Sequence, residues 1–252
     1  MLEKKMTPNL RSLITLGGIT INLYGLLFLA AILIILLILR RYMQRHNHNP
    51  ELAIGGTLYA MAGVIIGARL VYSLYYSFPS FVQNPLSIFY IWQGGMSFHG
   101  GMLGLLLAGY WFCRKHKLPF LVLADTLVIP AAILLGAGRI INFLDHEITG
   151  TLTNILWCVE FQEIAGCRHP VQLYDALNNF FLAGVMYAFR KRKQAPGTLL
   201  FSYILFYSII RFSIDFFRVY EFTLFGLGAG QYLALMTTLI AGYGLYRVSH
   251  AR

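Results

Sequence analysis

Apolar residues fill seven stretches of this chain: Ile19–Leu39, Leu52–Tyr72, Gly95–Cys113, Phe120–Ile141, Leu173–Phe189, Thr198–Phe217 and Leu224–Tyr246. Each is close to the roughly 20 residues that an α-helix needs to cross the hydrocarbon core of a bilayer, the fifth being the shortest. Short basic turns alternate with longer aromatic segments between them. The turns are Arg40–Pro50, Arg114–Pro119 and Arg190–Pro196; the longer segments are Ser73–Gly94 and Asn142–Pro170. This pattern predicts an all-α, polytopic membrane protein of about seven transmembrane helices, with a loop or arm region on one face. The spans take up most of residues 1–252, so one integral membrane domain is expected.

Composition agrees with the pattern. Only 12% of residues are charged and 58% are hydrophobic, against about 25% charged in a soluble domain. The Lys and Arg residues orient the spans. Twelve of the twenty fall in segments on one side, among them Arg40, Arg114 and Lys191; five fall on the other side, and Arg69, Arg139 and Arg211 lie within spans. The N-terminus is therefore expected outside and the C-terminus inside. The net charge of +10 reads as anchoring to the inner leaflet, not as a nucleic-acid patch. The first apolar run is too long for a signal-peptide core and lacks a small-residue cleavage site, so it reads as a retained helix. Lys4–Thr20 is amphipathic enough to rest in the interface. Tyr72, Tyr75, Tyr76, Phe78, Phe81, Phe89, Tyr90 and Trp92 form an interfacial aromatic belt.

Charged groups inside the spans change the picture. A charged side chain at the bilayer centre costs roughly 2.5–3.5 kcal/mol, so three arginines facing lipid would oppose insertion by about 8–10 kcal/mol. Arg69, His99, Arg139, Arg211 and Asp215 all fall toward the outer ends of their spans, and Tyr24 sits in the outer half of the first. Tyr207, Arg211, Asp215 and Arg218 are spaced to share a helical face, as are Arg139 and Asn142. Glycines surround the site in Gly94–Gly101 and at Gly136 and Gly138. Two arginines facing one pocket repel unless an anion lies between them, and guanidinium matches phosphate geometry bidentately. The simpler readings remain open: Arg69 snorkelling to the interface, Arg211 and Asp215 as an i,i+4 ion pair, His99 as a packing residue. Arg139 has no acidic residue at i+3 or i+4; its nearest are Asp145 and Glu147. The cysteines have no metal-ligand spacing. Cys113 reads as inert, and Cys158 and Cys167 either pair in an oxidising compartment or remain two thiols.

Several segments together resemble the phosphatidylglycerol–prolipoprotein diacylglyceryl transferases of bacterial inner membranes. They are Leu23-Tyr24-Gly25, Gly67–Tyr72, Gly94–Gly101 (GGMSFHGG), Gly138–Gly150, Arg168–Ala176, Arg211–Arg218 (RFSIDFFR) and Gly230-Gln231. Gly138–Gly150 is similar to the signature Gly-Arg-x-Gly-Asn-Phe-x-Asn-x-Glu-x-x-Gly, and Arg168–Ala176 to Arg-His-Pro-Ser-Gln-Leu-Tyr-Glu-Ala. The chain departs from the signature at Ile141 and Asp145, where the family has Gly and Asn. Asp215 replaces a Glu.

The resemblance implies transfer of a diacylglyceryl group from phosphatidylglycerol to the lipobox cysteine of a preprolipoprotein, with glycerol phosphate released, at the outer leaflet of the bacterial inner membrane. It implies no metal and no organic cofactor. Its expected partners are phosphatidylglycerol, the lipobox segment and membrane lipids. Within it, His99, Arg139, Arg211 and Glu147 are the expected catalytic residues, Arg139 and Arg211 clamping phosphate and His99 acting as base. Tyr24, Arg69, Asn142, Tyr207, Asp215 and Arg218 are the expected substrate-binding residues. The competing readings are a divergent paralogue that uses the same lipid site for another acceptor, and a non-catalytic lipid-binding protein. A transporter is disfavoured, since internal repeats and broken helices are not seen.

Overall fold

A computed structural model describes residues 14–16, 19–21, 23–161, 164–192, 194–220 and 223–250. The protein is mostly helical. The long helices are α1 (Leu23–Arg45), α2 (Leu52–Val71), α4 (Phe98–Lys115), α5 (Phe120–Leu144), α6 (Val171–Phe189), α7 (Thr198–Ile214) and α8 (Ala229–His250). A short helix, α3 (Phe78–Gln83), stands between α2 and α4. Among the described residues, four helices are long and apolar enough to cross a membrane: α1, α2 with the π turn that follows it, α5, and α7 with its 3-10 turn. Three two-stranded antiparallel hairpins complete the described structure: β1 (Ile14–Leu16) with β2 (Ile19–Ile21), β3 (Val159–Phe161) with β4 (Ile164–Arg168), and β5 (Thr223–Leu224) with β6 (Leu227–Gly228). The amphipathic segment expected over Lys4–Thr20 lies largely outside the described residues; its described part is strand, in β1 and β2.

Two compact units emerge, one of Met1–Ala31 with Ala124–Arg252 and one of Ile32–Leu123. In the second unit, α2 and α4 pack through glycines. A Cβ on Gly63 would run into the carbonyl of Gly104, and one on Gly67 into that of Gly100. Small residues four apart on each helix let the two backbones touch, which is how helices associate without a hydrophobic driving force between them. Ser97 begins α4, its Oγ accepting from the backbone N–H of Gly100 at 3.3 Å, an ordinary N-cap. The longer aromatic segment Ser73–Gly94 is a run of short turns: a π turn at Tyr72–Tyr76, then α3, then 3-10 turns at Pro85–Phe89 and Ile91–Gln93.

In the first unit, Val128 and Ala132 of α5, Leu182, Ala183 and Met186 of α6 and Tyr203 of α7 form one buried cluster. α5 and α7 are also tied by a carboxylate. Asp125 accepts from the backbone N–H groups of Gly197 at 2.7 Å and Leu200 at 2.8 Å, two donors that the start of α7 would otherwise leave unsatisfied. Gly197 itself has φ +94°, a conformation that glycine adopts without strain. Since α5 carries Arg139 and α7 carries Arg211, this cap fixes two site-bearing helices relative to one another.

Replacing Asp125 with Ala is expected to lower stability by about 1–2 kcal/mol, and Asn is expected to lower it less, because its carbonyl oxygen still accepts. Thermal unfolding in detergent checks the order wild type, Asn, Ala.

Candidate functional site

One continuous polar chain runs through the first unit. Tyr24, in the first turn of α1, donates to Glu147 Oε2 at 2.9 Å. Asn142 Nδ2 donates to the same oxygen at 2.8 Å and also meets the Tyr24 hydroxyl. Asn142 Oδ1 accepts from Arg139 Nη1 at 3.5 Å, as the i,i+3 spacing on α5 allows. Arg139 Nε then lies 3.4 Å from Asp175 Oδ2 on α6. Arg211 on α7 pairs with that same Asp175 oxygen, and its Nη2 meets Asp215 Oδ1 at 2.8 Å. Asp175 and Asp215 are each 2% exposed.

Sequence reasoning found no acidic partner for Arg139 at i+3 or i+4 and set an anion between the two arginines. In the structure the Asp175 carboxylate on α6 takes that place. Two guanidiniums about 4 Å apart would repel by roughly 4 kcal/mol at an effective dielectric near 20, and a shared carboxylate removes that cost. Asp175 was missed because the pairing crosses between helices. A signal was present, however. Gln172, Asp175, Asn178 and Asn179 are polar residues at helical spacing in an apolar run, and all four are buried. Asn179 Nδ2 donates back to the Asp175 carbonyl at 2.8 Å, and its own oxygen accepts from Tyr203 at 2.6 Å. Tyr207 stacks on Tyr203 with ring centroids 5.8 Å apart, so it joins the wall beneath the network.

Glu147 is held by its surroundings. Its flanking residues His146 and Ile148 have φ of 57° and 58°, a left-handed region that β-branched Ile in particular avoids. The Glu147 N–H donates to the Asn142 carbonyl at 2.9 Å, and the Glu147 carbonyl accepts from Gln172 Nε2 at 2.6 Å. Gly150 packs so closely on His169 and Phe217 that no side chain fits there. Next to it, Thr151 donates to the Phe217 carbonyl at 2.8 Å, and Arg168 donates to the Gly150 carbonyl at 3.0 Å. Cys158 and Cys167 form a disulfide across the β3–β4 hairpin, which decides the alternative left open by the sequence; Cys113 is buried and free. The face expected to join Tyr207, Arg211, Asp215 and Arg218 holds only as far as Asp215. There α7 gives way to a 3-10 turn, and Arg218 is already extended, with φ −96° and ψ 146°.

Arg69 has a different part from the substrate binding expected of it. It is 7% exposed. Its Nε donates to Ile88, its Nη1 to Gly94 and Gly95, and its Nη2 to Ser87 and Tyr90, all at backbone carbonyls 2.5–3.1 Å away. A guanidinium has five N–H donors, and here all five hold the turns between α2 and α4 in place. Arg139 and Arg211 each use two in the described contacts, leaving three apiece. This difference separates a scaffold arginine from two that can take an anion. His99, in the same unit as Arg69, is exposed in the first turn of α4, its ring edge-to-face with Phe98 at 5.6 Å.

Arg69→Ala is expected to destabilise the protein by on the order of 3 kcal/mol or more, since it strands buried carbonyls that had charged donors. Thermal unfolding and limited proteolysis between residues 77 and 95 check this.

A family model described as prolipoprotein diacylglyceryl transferase matches residues 11–247. Among curated relatives, the phosphatidylglycerol–prolipoprotein diacylglyceryl transferase of Geobacter sulfurreducens is 37% identical over 221 residues, covering 86% of this chain and 85% of that protein. Its namesake in Chromohalobacter salexigens is 37% identical over 208 residues, covering 81% and 78%. That of a Marinomonas species is 35% identical over 249 residues, covering 94% and 92%.

Proposed function

The chain belongs to the prolipoprotein diacylglyceryl transferase family, and from that premise we propose how its residues divide the work. It is an enzyme that transfers a diacylglyceryl group from phosphatidylglycerol to prolipoprotein. This reading is supported over a non-catalytic lipid binder or a paralogue with another acceptor. The acceptor is the thiol of a lipobox cysteine. Its sulfur displaces phosphate at the glycerol carbon: one C–S bond forms, one C–O bond breaks, glycerol phosphate leaves, and the thiol proton passes to a base. The chain is one integral membrane domain of the bacterial inner membrane with seven spans. Its N-terminus is outside, its C-terminus is inside, and its site lies near the outer leaflet.

Three demands follow from this chemistry. The leaving phosphate needs positive charge held where its own charge develops. The thiol, with an ordinary pKa near 8.5, must lose its proton. The reacting atoms must be held in line. The observation that carries the assignment is the Asp175 oxygen shared by Arg139 and Arg211. It sets the spacing of two guanidiniums that still have donors to offer, so a phosphate diester docks on a preformed fork. Asn142 and Tyr24 orient the head group from the Glu147 side. Glu147 already accepts two hydrogen bonds at one oxygen, which suits it to positioning. Thiol deprotonation is assigned to His99. Tyr207 and Arg218 border the site, and Arg69 holds the turns between α2 and α4.

Arg139→Ala is expected to reduce transfer by about 10²–10³-fold while leaving the protein folded in membranes. The assay is mass gain on a lipobox peptide in phosphatidylglycerol micelles, with a Cys→Ser peptide as blank. Near-normal turnover would rule out the clamp. His99→Gln is expected to lower the rate at least tenfold; an unchanged rate would move the base to Glu147 or Asp215.

A further inference from the structure

Tyr220 lies between Arg218 and β5, outside every contact described so far. Two glycines make room for it. A Cβ on Gly228 would strike its ring, and a Cβ on Gly230 would strike both its hydroxyl and Asp215 Oδ2. The phenol oxygen and that carboxylate oxygen therefore sit together over Gly230, at the first turn of α8. The other Asp215 oxygen is already taken by Arg211. On the opposite side, the Arg218 guanidinium stands over the Tyr220 ring, 5.2 Å from its centroid.

We propose that Tyr220 is a positioning residue: its hydroxyl donates to Asp215 Oδ2 and holds that carboxylate against Arg211. With Asp215 fixed, the remaining Arg211 N–H groups point at the phosphate instead of following a mobile carboxylate. This rests on the clamp assigned above. The protonation state agrees with it. Burial, and then the Asp215 carboxylate, push the Tyr220 phenol up to about 12, outweighing the opposing pull of Arg218 and Arg211. The phenol thus has a proton to give throughout the working range. Gly228 and Gly230 serve the same end, since a methyl group at either would evict the ring.

Tyr220→Phe keeps the ring on its glycine seat and under Arg218, and removes only the hydroxyl. The KM for phosphatidylglycerol is expected to rise about tenfold or more, as for one hydrogen bond to a charged group, with kcat within about twofold. In an Asp215→Asn background the same change is expected to add little, because the partner is already altered. Additive effects, or a loss of kcat that tracks a falling midpoint, would reduce Tyr220 to packing and overturn the proposal. A second readout needs no turnover: the tyrosine ¹³Cζ resonance that disappears in Tyr220→Phe. It is expected to titrate at lower pH in Asp215→Asn than in wild type. An identical titration in both would also overturn the proposal. A wild-type protein showing this shift but no transfer would count against the transferase roles and uphold the Tyr220–Asp215 contact.

Discussion

Two guanidiniums brought to one carboxylate oxygen set the terms for this molecule. Arg139 and Arg211 sit on different helices in an apolar setting, where neither is tolerated unpaired and the two repel each other. Asp175 resolves both difficulties and so fixes how α5, α6 and α7 meet. The rest of the first unit can be understood as support for that junction. Asp125 ties α5 to α7. The Val128–Tyr203 cluster packs the same three helices through apolar contact. The Gly150 crossing and the Cys158–Cys167 disulfide brace the segment that delivers Glu147.

The same residue type serves opposite ends elsewhere in the chain. Arg69 is as deeply buried as Arg211, yet its five donors all go to backbone carbonyls. It can therefore hold turns but has nothing left for a ligand. What distinguishes a structural from a functional arginine here is the count of uncommitted N–H groups. Burial alone does not separate Arg69 from Arg211. Buried ion pairs are weak grounds for inferring stability, and the Asp175 junction follows that rule. Under the proposed roles its value lies in pre-organisation for an anion.

Much of the fold was legible. Each of the seven apolar runs corresponds to a helix of 17–25 residues, because continuous hydrophobicity at that length is a strong signal. Local pairs were legible too: Arg139 with Asn142 and Arg211 with Asp215 follow from i,i+3 and i,i+4 spacing. Asp175 was not, since a contact between helices leaves no trace in spacing. The part played by Arg69 was hidden for another reason: its partners are main-chain carbonyls, which every residue has. The run of turns over Ser73–Gly94 has no period to read. The end of the α7 face at Asp215 reflects a switch to 3-10 geometry that nothing in RFSIDFFR announces. The disulfide remained one of two options until the hairpin brought Cys158 and Cys167 together.

The most direct test of the paired clamp is a double-mutant cycle on phosphatidylglycerol affinity. Binding to wild type, Arg139→Ala, Arg211→Ala and the double variant would be measured in nanodiscs of otherwise neutral lipid. If both guanidiniums grip one phosphate around Asp175, either single variant should lose most of the affinity and the double variant little more, a coupling of at least about 1–2 kcal/mol. Losses that simply add would mean that the arginines act apart, contradicting the shared site on which this account rests.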